Sequence, residues 1–438
     1  MPFTAPASEI TRLLRAGLLR RGELAPALEP KPAPEPRPGS EPPLEELVAG
    51  RWVVLGEQRC YVTDRLYPWT HRHGDAPLTT FLEIPDEQWT PFACLEPEQP
   101  FALRRAALLD IETTGLARGA GTYAFLVGLG LPQEDGLRVR QLFMPAYGDE
   151  EALLDLLSND LQNADGLITF NGRSFDWPIL RTRFTLARRP TPLPDAPHLD
   201  LLSLARRLWR RRLESCALSS LETSILGVQR ADDDVPGYLI PQLYQDYLDL
   251  GRTRPLVGVF YHNCMDILAM AALAGRIGRV LTAPQHAEAA AVCDFMALGM
   301  LYEHTDRLSE ALNAYQLASQ TARDAYEAGV SSRYYAALLK RLGRMEEACQ
   351  VWRDQLHGND IYPYIELAKF YEHRQDDYVA AQRLVHEALD WLNEHARLLG
   401  RAECERLRAE LTHRLTRLER RLGASMDASD QIAELDTP

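Results

Sequence analysis

The chain has 438 residues, 46% of them hydrophobic and 25% charged, with a formal net charge of −14. That length exceeds one ordinary core and predicts two or three domains of a globular protein. The acidity argues against a binder that holds nucleic acid by bulk charge, and the lack of any run of 18 apolar residues predicts no membrane span.

The N-terminal MPFTAPASEITRLLRAGLLRRGEL has no long apolar block of the secretory kind. Residues 1–25 therefore read as a short surface helix of a cytoplasmic protein. Eight prolines within 26–43 predict an extended, semi-rigid linker. GRWVVLGEQRCYVTDRLYP alternates apolar and polar positions, so 44–98 reads as a small β-rich lead-in. From 101 to 280 the pattern is α/β. Predicted strands are Ala106–Leu109, Tyr123–Leu129, Leu137–Phe143 and Gly166–Phe170, the first three forming a meander. Helices are predicted at Glu150–Leu161, 175–187, 200–211, 218–226, 236–250 and 256–279.

From 290 to 422 the chain reads as helical repeats. Leu298, Gly299, Tyr302, Ala311, Tyr315 and Ala318 fit the small and large spacing of a tetratricopeptide helix pair. Tyr364, Leu367, Ala368, Tyr371, Ala380 and Leu384 largely repeat it. Residues 423–438 read as a polar, frayed tail. Cysteines 60, 94, 216, 264, 293, 349 and 404 form no C-x-x-C pair, which indicates isolated thiols rather than a disulfide framework or zinc knot. Nine arginines between Arg181 and Arg212, against two aspartates, form a local basic stripe suited to a phosphate backbone, or else a solvated helix face.

Three segments carry acids that suit chemistry. AALLDIETTGL puts Asp110 and Glu112 two residues apart on a strand, so both carboxylates face one way. Two such charges beside a core need a cation, and oxygen ligands favour Mg²⁺ or Mn²⁺. Thr113, Thr114 and Gly115 follow as a turn with hydroxyl and backbone donors for a phosphate. The glycines at 115, 119 and 121 with Arg118 allow either close approach of a nucleotide or a plain flexible loop. In LITFNGRSFDWPIL, Asn171-Gly172 turns, Ser174 can cap a helix, and Asp176 lies in the first helical turn. An acid there also stabilises a helix without chemistry. In VGVFYHNCMDILAMAAL, Asp266 sits among apolar residues, with His262 one turn earlier and Asn263 beside it. Asp200 reads as a helix cap or structural acid.

In this order, the segments resemble the three exonuclease motifs of the DEDD superfamily. DIETTGLARGAGTYAFLVG, FNGRSFDWP, LSSLETSILGV, DDDVPGYLIPQLY and YHNCMDILAM are most similar to the bacterial YprB-like branch, which joins a ribonuclease H-like domain to tetratricopeptide repeats. The resemblance implies a mixed sheet flanked by helices, plus an all-α repeat domain. It implies Asp110, Glu112, Asp176 and Asp266 as ligands of two divalent ions, Mg²⁺ or Mn²⁺, about 4 Å apart. It places Thr113, Thr114, Gly115, Asn171 and Phe175 beside the substrate. The implied activity is 3′–5′ exonuclease hydrolysis of single-stranded DNA or RNA, with the repeats free to dock a protein partner. The superfamily places a Tyr four residues before the last acid or a His five before it. Here the order is inverted, with His262 at −4 and Tyr261 at −5. His262 shares a helix face with Asp266 and is the expected base. A non-catalytic nucleic-acid-binding scaffold and an endonuclease on the same fold are the alternatives.

Overall fold

A computed structural model describes residues 41–93, 101–115, 121–230, 234–284, 291–356, 358–397 and 399–435. The predicted N-terminal helix, most of the Pro-rich linker, and Arg118 and Gly119 of the glycine loop lie outside the described residues. The chain forms two compact units, one built from residues up to Leu204 with Ser215–Thr282, the other from Ala205–Glu214 with residues from Ala283 onward.

The first unit is a mixed seven-stranded sheet flanked by helices. Strands β1 (Arg51–Leu55), β2 (Gln58–Pro68), β5 (Ala106–Thr113), β6 (Ala124–Pro132), β7 (Gly136–Phe143), β8 (Gly166–Thr169) and β9 (His198–Asp200) lie in the order β1-β2-β7-β6-β5-β8-β9. The segments β5, β6 and β7 form the expected antiparallel meander, and β8 and β9 add on in parallel. The lead-in is no separate layer. Its β2 pairs with β7 over eight residues, from Tyr61↔Phe143 to Pro68↔Gly136, and so extends the main sheet. A second small hairpin, β3 (Arg72–His73) and β4 (Ala76–Pro77), stands apart from it.

β5 explains its own position. AALLDIET is buried at all four leading positions, as a strand covered on both faces must be. It runs through both acids, four residues past the predicted end at Leu109, and a register irregularity falls at Glu112/Thr113. Such irregularities re-aim side chains at the rim of a sheet. The main helices of this unit are α1 (Glu150–Leu161), α2 (Asp176–Leu186), α4 (Ile240–Leu250) and α5 (Leu256–Thr282), while α3 (Leu201–Trp209) starts in it and belongs to the second from Ala205. α5 packs against β5, β6 and β7. Its length and apolar composition reach those of a membrane span, but 67% of the relevant window is buried, which makes it a core helix. Gly275 and Gly278 on α5 leave room for Thr80, Ile84 and Trp89; a Cβ at Gly275 would stand 2.0 Å from Thr80 Oγ1.

The second unit is all helical: α6 (Val292–His304), α7 (Leu308–Thr321), α8 (Ala325–Arg341), α9 (Met345–Asp354), α10 (Tyr362–Arg374), α11 (Tyr378–Glu394) and α12 (Arg401–Leu435), each packed on the next. α12 includes residues past Gly423 that the sequence assigned to a frayed tail. The same turn recurs within the helix pairs α6–α7, α8–α9 and α10–α11. Asp306, Gly343 and Asp376 all adopt left-handed backbone, at φ 56°, 78° and 51°. Each is followed by one capping residue and a new helix whose fourth residue is a buried alanine: Ala311, Ala348 and Ala381. The buried alanine after the third turn is Ala381, and Ala380 of the sequence pattern is half-exposed. A Cβ at Gly299 would meet Tyr315 Cε1 at 2.3 Å, so a small residue lets α6 close on α7.

Six cysteines, at 60, 216, 264, 293, 349 and 404, are free thiols; Cys94 lies outside the described residues. The basic stripe is divided. Arg181, Arg183, Arg188 and Arg189 belong to the first unit, Arg206, Arg207 and Arg210–Arg212 to the second. Several are consumed by ion pairs: Arg183 with Glu150 at 2.5 Å, Arg189 with Glu151 at 3.0 Å, and Arg212 with Asp294 at 3.1 Å.

Candidate active site

Three elements bring acids to one end of the sheet. β5 supplies Asp110 and Glu112, the first residue of α2 supplies Asp176, and the middle of α5 supplies Asp266. The four interact electrostatically. Burial, then the charges of Asp266, Glu112 and Asp176, push Asp110 well above the usual carboxylate range. Burial with Asp266 and Asp176 pushes Glu112 up to about 8. Burial with Asp200 and Asp266 does the same to Asp176. Asp266 is raised by burial, while Arg230 and His262 oppose the rise. A helix N-terminus favours an ionised acid by only ~0.3–1 kcal/mol, so at Asp176 burial and like charge win. Its side chain makes no cap bond, and neither does Ser174; the cap position is Phe175.

Asp110 is held from behind. Asn263, fully buried, donates from Nδ2 to Asp110 Oδ2 at 2.9 Å. Its Oδ1 accepts from Gln141 Nε2 at 2.9 Å, and Gln141 Oε1 accepts from Thr63 Oγ1 at 3.0 Å. The chain of bonds thus crosses β2, β7, α5 and β5. Gly128 makes room for it. It sits opposite Asp110 in the β5–β6 register, and a Cβ there would lie 2.3 Å from Asn263 Oδ1. Asn263 was noticed in the sequence only as a neighbour of Asp266. Gln141 and Thr63 gave no signal, because an alternating strand does not mark which polar residue faces a site.

Asp266 meets an arginine and a histidine. Arg230 Nη2 pairs with Asp266 Oδ1, and His262 Nε2 lies 3.8 Å from Asp266 Oδ2. His262 Nδ1 is 2.9 Å from Asp234 Oδ1 and 3.3 Å from Arg230 Nη1. The closer carboxylate favours a proton on Nδ1, leaving Nε2 bare toward Asp266. Arg230 also donates to Glu222 Oε2 at 2.7 Å and Asp234 Oδ2 at 3.1 Å. Glu222 opens a π-turn, Glu222–Leu226, of the kind often found at functional sites. Glu222 and Asp234 lie in LSSLETSILGV and DDDVPGYLIPQLY, where the sequence gives neither a role. The signal available was Glu222, an acid directly after Leu221 and one helical turn before Leu226.

The residues expected at the substrate are mostly spent on local geometry. Thr113 Oγ1 donates to Gly115 O at 3.0 Å, and Thr114 Oγ1 accepts from Tyr123 N at 3.1 Å. Asn171 has left-handed backbone, φ 67°, and its side chain is exposed. Its N–H donates to Asp200 Oδ1 at 2.9 Å, and Arg173 N to Asp200 Oδ2 at 3.3 Å. Asp200 Oδ1 also accepts from Leu202 N at 3.1 Å. Asp200 is thus the structural acid expected, tying the Asn171 turn to the start of α3. Phe175 is half-buried against the core.

One buried and three half-buried carboxylates with raised proton affinity are oxygen donors that a hard divalent cation suits. Among the described residues, no three His, Cys, Asp or Glu side chains are drawn into a ready-made metal centre. Arg230 engages Asp266 in that cation's place.

The RNase_H superfamily profile matches residues 107–277, from β5 through most of α5. Over 382 residues the chain is 31% identical to the "Uncharacterized protein YprB" of Bacillus subtilis (strain 168), covering 84% of this chain and 87% of that one.

Proposed function

This chain belongs to the YprB family and carries a ribonuclease H superfamily domain, and from that premise we propose that it is a metal-dependent 3′–5′ exonuclease of the DEDD type. Superfamily membership points to nuclease chemistry on nucleic acid in general; the direction of attack and the single-stranded substrate are the finer reading. The observation that supports it is the coupling of Asp110, Glu112, Asp176 and Asp266 from three separate elements. A cluster of buried, mutually repelling acids destabilises a fold unless a cation uses it.

Asp110, Glu112, Asp176 and Asp266 would hold Mg²⁺ or Mn²⁺. When bound, these ions supply Lewis-acid charge at the scissile phosphate and the departing 3′ oxygen. Asn263 keeps Asp110 oriented. His262, its Nδ1 fixed by Asp234, takes a proton from the attacking water at Nε2. Tyr261, its rival in the sequence, has no part in the contacts to Asp266 given above. The turns at Thr113–Gly115 and Asn171–Phe175 flank the acids and would lie beside the substrate, the Thr113 and Thr114 hydroxyls being engaged within the first turn. The helical unit, with its repeated turn, serves as a tetratricopeptide-like docking platform for a partner.

The rival is a nucleic-acid-binding scaffold, favoured by the ion pair that occupies Asp266. Matched DNA and RNA single strands, labelled at the 5′ end, separate the readings. Mg²⁺- or Mn²⁺-dependent shortening from the 3′ end that is lost in Asp110→Asn supports the exonuclease. Internal fragments indicate an endonuclease. Tight binding without cleavage indicates the scaffold, and cleavage that survives Asp110→Asn sinks the site assignment.

A further inference from the structure

Arg230 is fastened to three acids, of which Asp266 alone belongs to the cluster. Glu222, at 1% exposure, takes Arg230 Nε on Oε2 at 2.7 Å, while its Oε1 is 3.0 Å from His73 Nε2. That histidine belongs to the β3–β4 hairpin, which is locked onto the same π-turn. Asp75 N donates to Leu226 O at 2.7 Å, and a Cβ at Gly74 would collide with Leu226 O at 2.1 Å. Asp234 takes Nη1 at 3.1 Å and is itself paired with His262. Neither anchor is one of the four clustered acids. The third contact, Nη2 to Asp266, spends a carboxylate that the cluster needs for its cation.

A guanidinium and a divalent ion compete for the same oxygen. A guanidinium left with two anchors presents a free planar edge of N–H donors, the geometry that recognises phosphate. We propose that Arg230 is a phosphate-binding residue of this site. It is parked on Asp266 until a divalent ion takes that carboxylate, and it then offers Nη2 to a non-bridging oxygen of the substrate phosphodiester. The exchange moves no covalent bond and no proton: Asp266 trades one cation for another, and the released cation meets an incoming anion. This rests on reading the four acids as a metal-binding nuclease site.

The test uses the full chain and two probes. Mn²⁺ alone is titrated and followed by the loss of the free-ion electron paramagnetic resonance signal. A short fluorescent DNA single strand is then titrated in Ca²⁺. Losing one charge-assisted partner is on the order of a ten-fold change in affinity. Arg230→Gln should bind Mn²⁺ several-fold tighter, since its competitor is gone, and bind the strand about ten-fold more weakly. Arg230→Lys, which keeps the charge but loses the fork, should restore wild-type Mn²⁺ affinity while recovering only part of the strand affinity. Unchanged or weaker Mn²⁺ binding in Arg230→Gln, or unchanged strand binding, overturns the proposal. If Arg230→Gln does not fold because Glu222 is left buried and charged, the pair Arg230→Gln with Glu222→Gln is read by the same criteria. A wild type that takes up no Mn²⁺ overturns the metal site beneath the proposal. Normal wild-type uptake with an unaltered variant overturns the role of Arg230 alone.

Discussion

Glu112→Gln should stabilise the metal-free protein, and increasingly so as pH rises. Glu112 is pushed from 4.5 up to about 8, first by burial and then by Asp266 and Asp176. The folded state therefore holds this proton more tightly than the unfolded chain does. Between pH 4.5 and about 8 the unfolded state carries fewer protons, so stability falls as pH rises through that window and levels off above it. At about 1.4 kcal/mol per pKa unit, the full shift corresponds to at most ~5 kcal/mol. Partial exposure and the sharing of repulsion among four acids reduce this to roughly 2–4 kcal/mol. Glutamine keeps the shape and cannot ionise. The gap between variant and wild type should be small near pH 5 and reach about 2–4 kcal/mol at pH 8, or roughly 5–15 °C in Tm for a unit of this size. Urea unfolding in EDTA across that range measures it. Adding Mn²⁺ should shrink the gap by favouring the carboxylate. A difference that does not vary between pH 5 and 8, or a variant less stable than wild type at pH 8, refutes the reasoning.

Gly128→Ala should displace Asn263, since the new Cβ would stand 2.3 Å from its Oδ1; ~1–3 kcal/mol of stability should go in urea unfolding, and metal-dependent digestion should fall with it. Gln141→Leu should leave Asn263 Oδ1 without its 2.9 Å donor, costing ~1–3 kcal/mol and reducing turnover more than strand binding in a kinetic assay. Asp200→Ala removes three backbone hydrogen bonds at once; a loss of ~2 kcal/mol or more is expected, along with a lowered Asp176 pKa in carboxyl-resolved NMR, because Asp200 is the leading charge that raises it. His262→Ala should abolish the rate advantage of a base with little change in Mn²⁺ uptake; undiminished turnover at every pH would remove His262 from the mechanism.

The sheet and its helices were legible because periodicity carries them. The segments Glu150–Leu161 and Leu137–Phe143 follow directly from 3.6-residue and 2-residue patterns. The acids were singled out for other reasons: Asp110, Glu112 and Asp266 sit against apolar runs, where a charge is costly to bury, whereas Asp176, which a helix start alone would explain, rested on the family resemblance. What stayed hidden depends on register between strands and on loops with no periodicity. That Gly128 faces Asp110, or that Gln141 reaches Asn263, is fixed by pairings across the sheet that no local pattern states. That the lead-in joins the same sheet is fixed likewise by the β2–β7 pairing. Arg230 was hidden most completely. In the sequence it is one arginine beside a run of aspartates, indistinguishable from a solvated turn. Only the fold brings Glu222, Asp234 and Asp266 around it, and only then does its charge acquire meaning. Four acids on three elements cannot stay ionised together without a cation, and the fold supplies one on a neighbouring loop. The acids thus mark where the proposed chemistry would be, and the Arg230–Asp266 pair is what a metal would have to displace there.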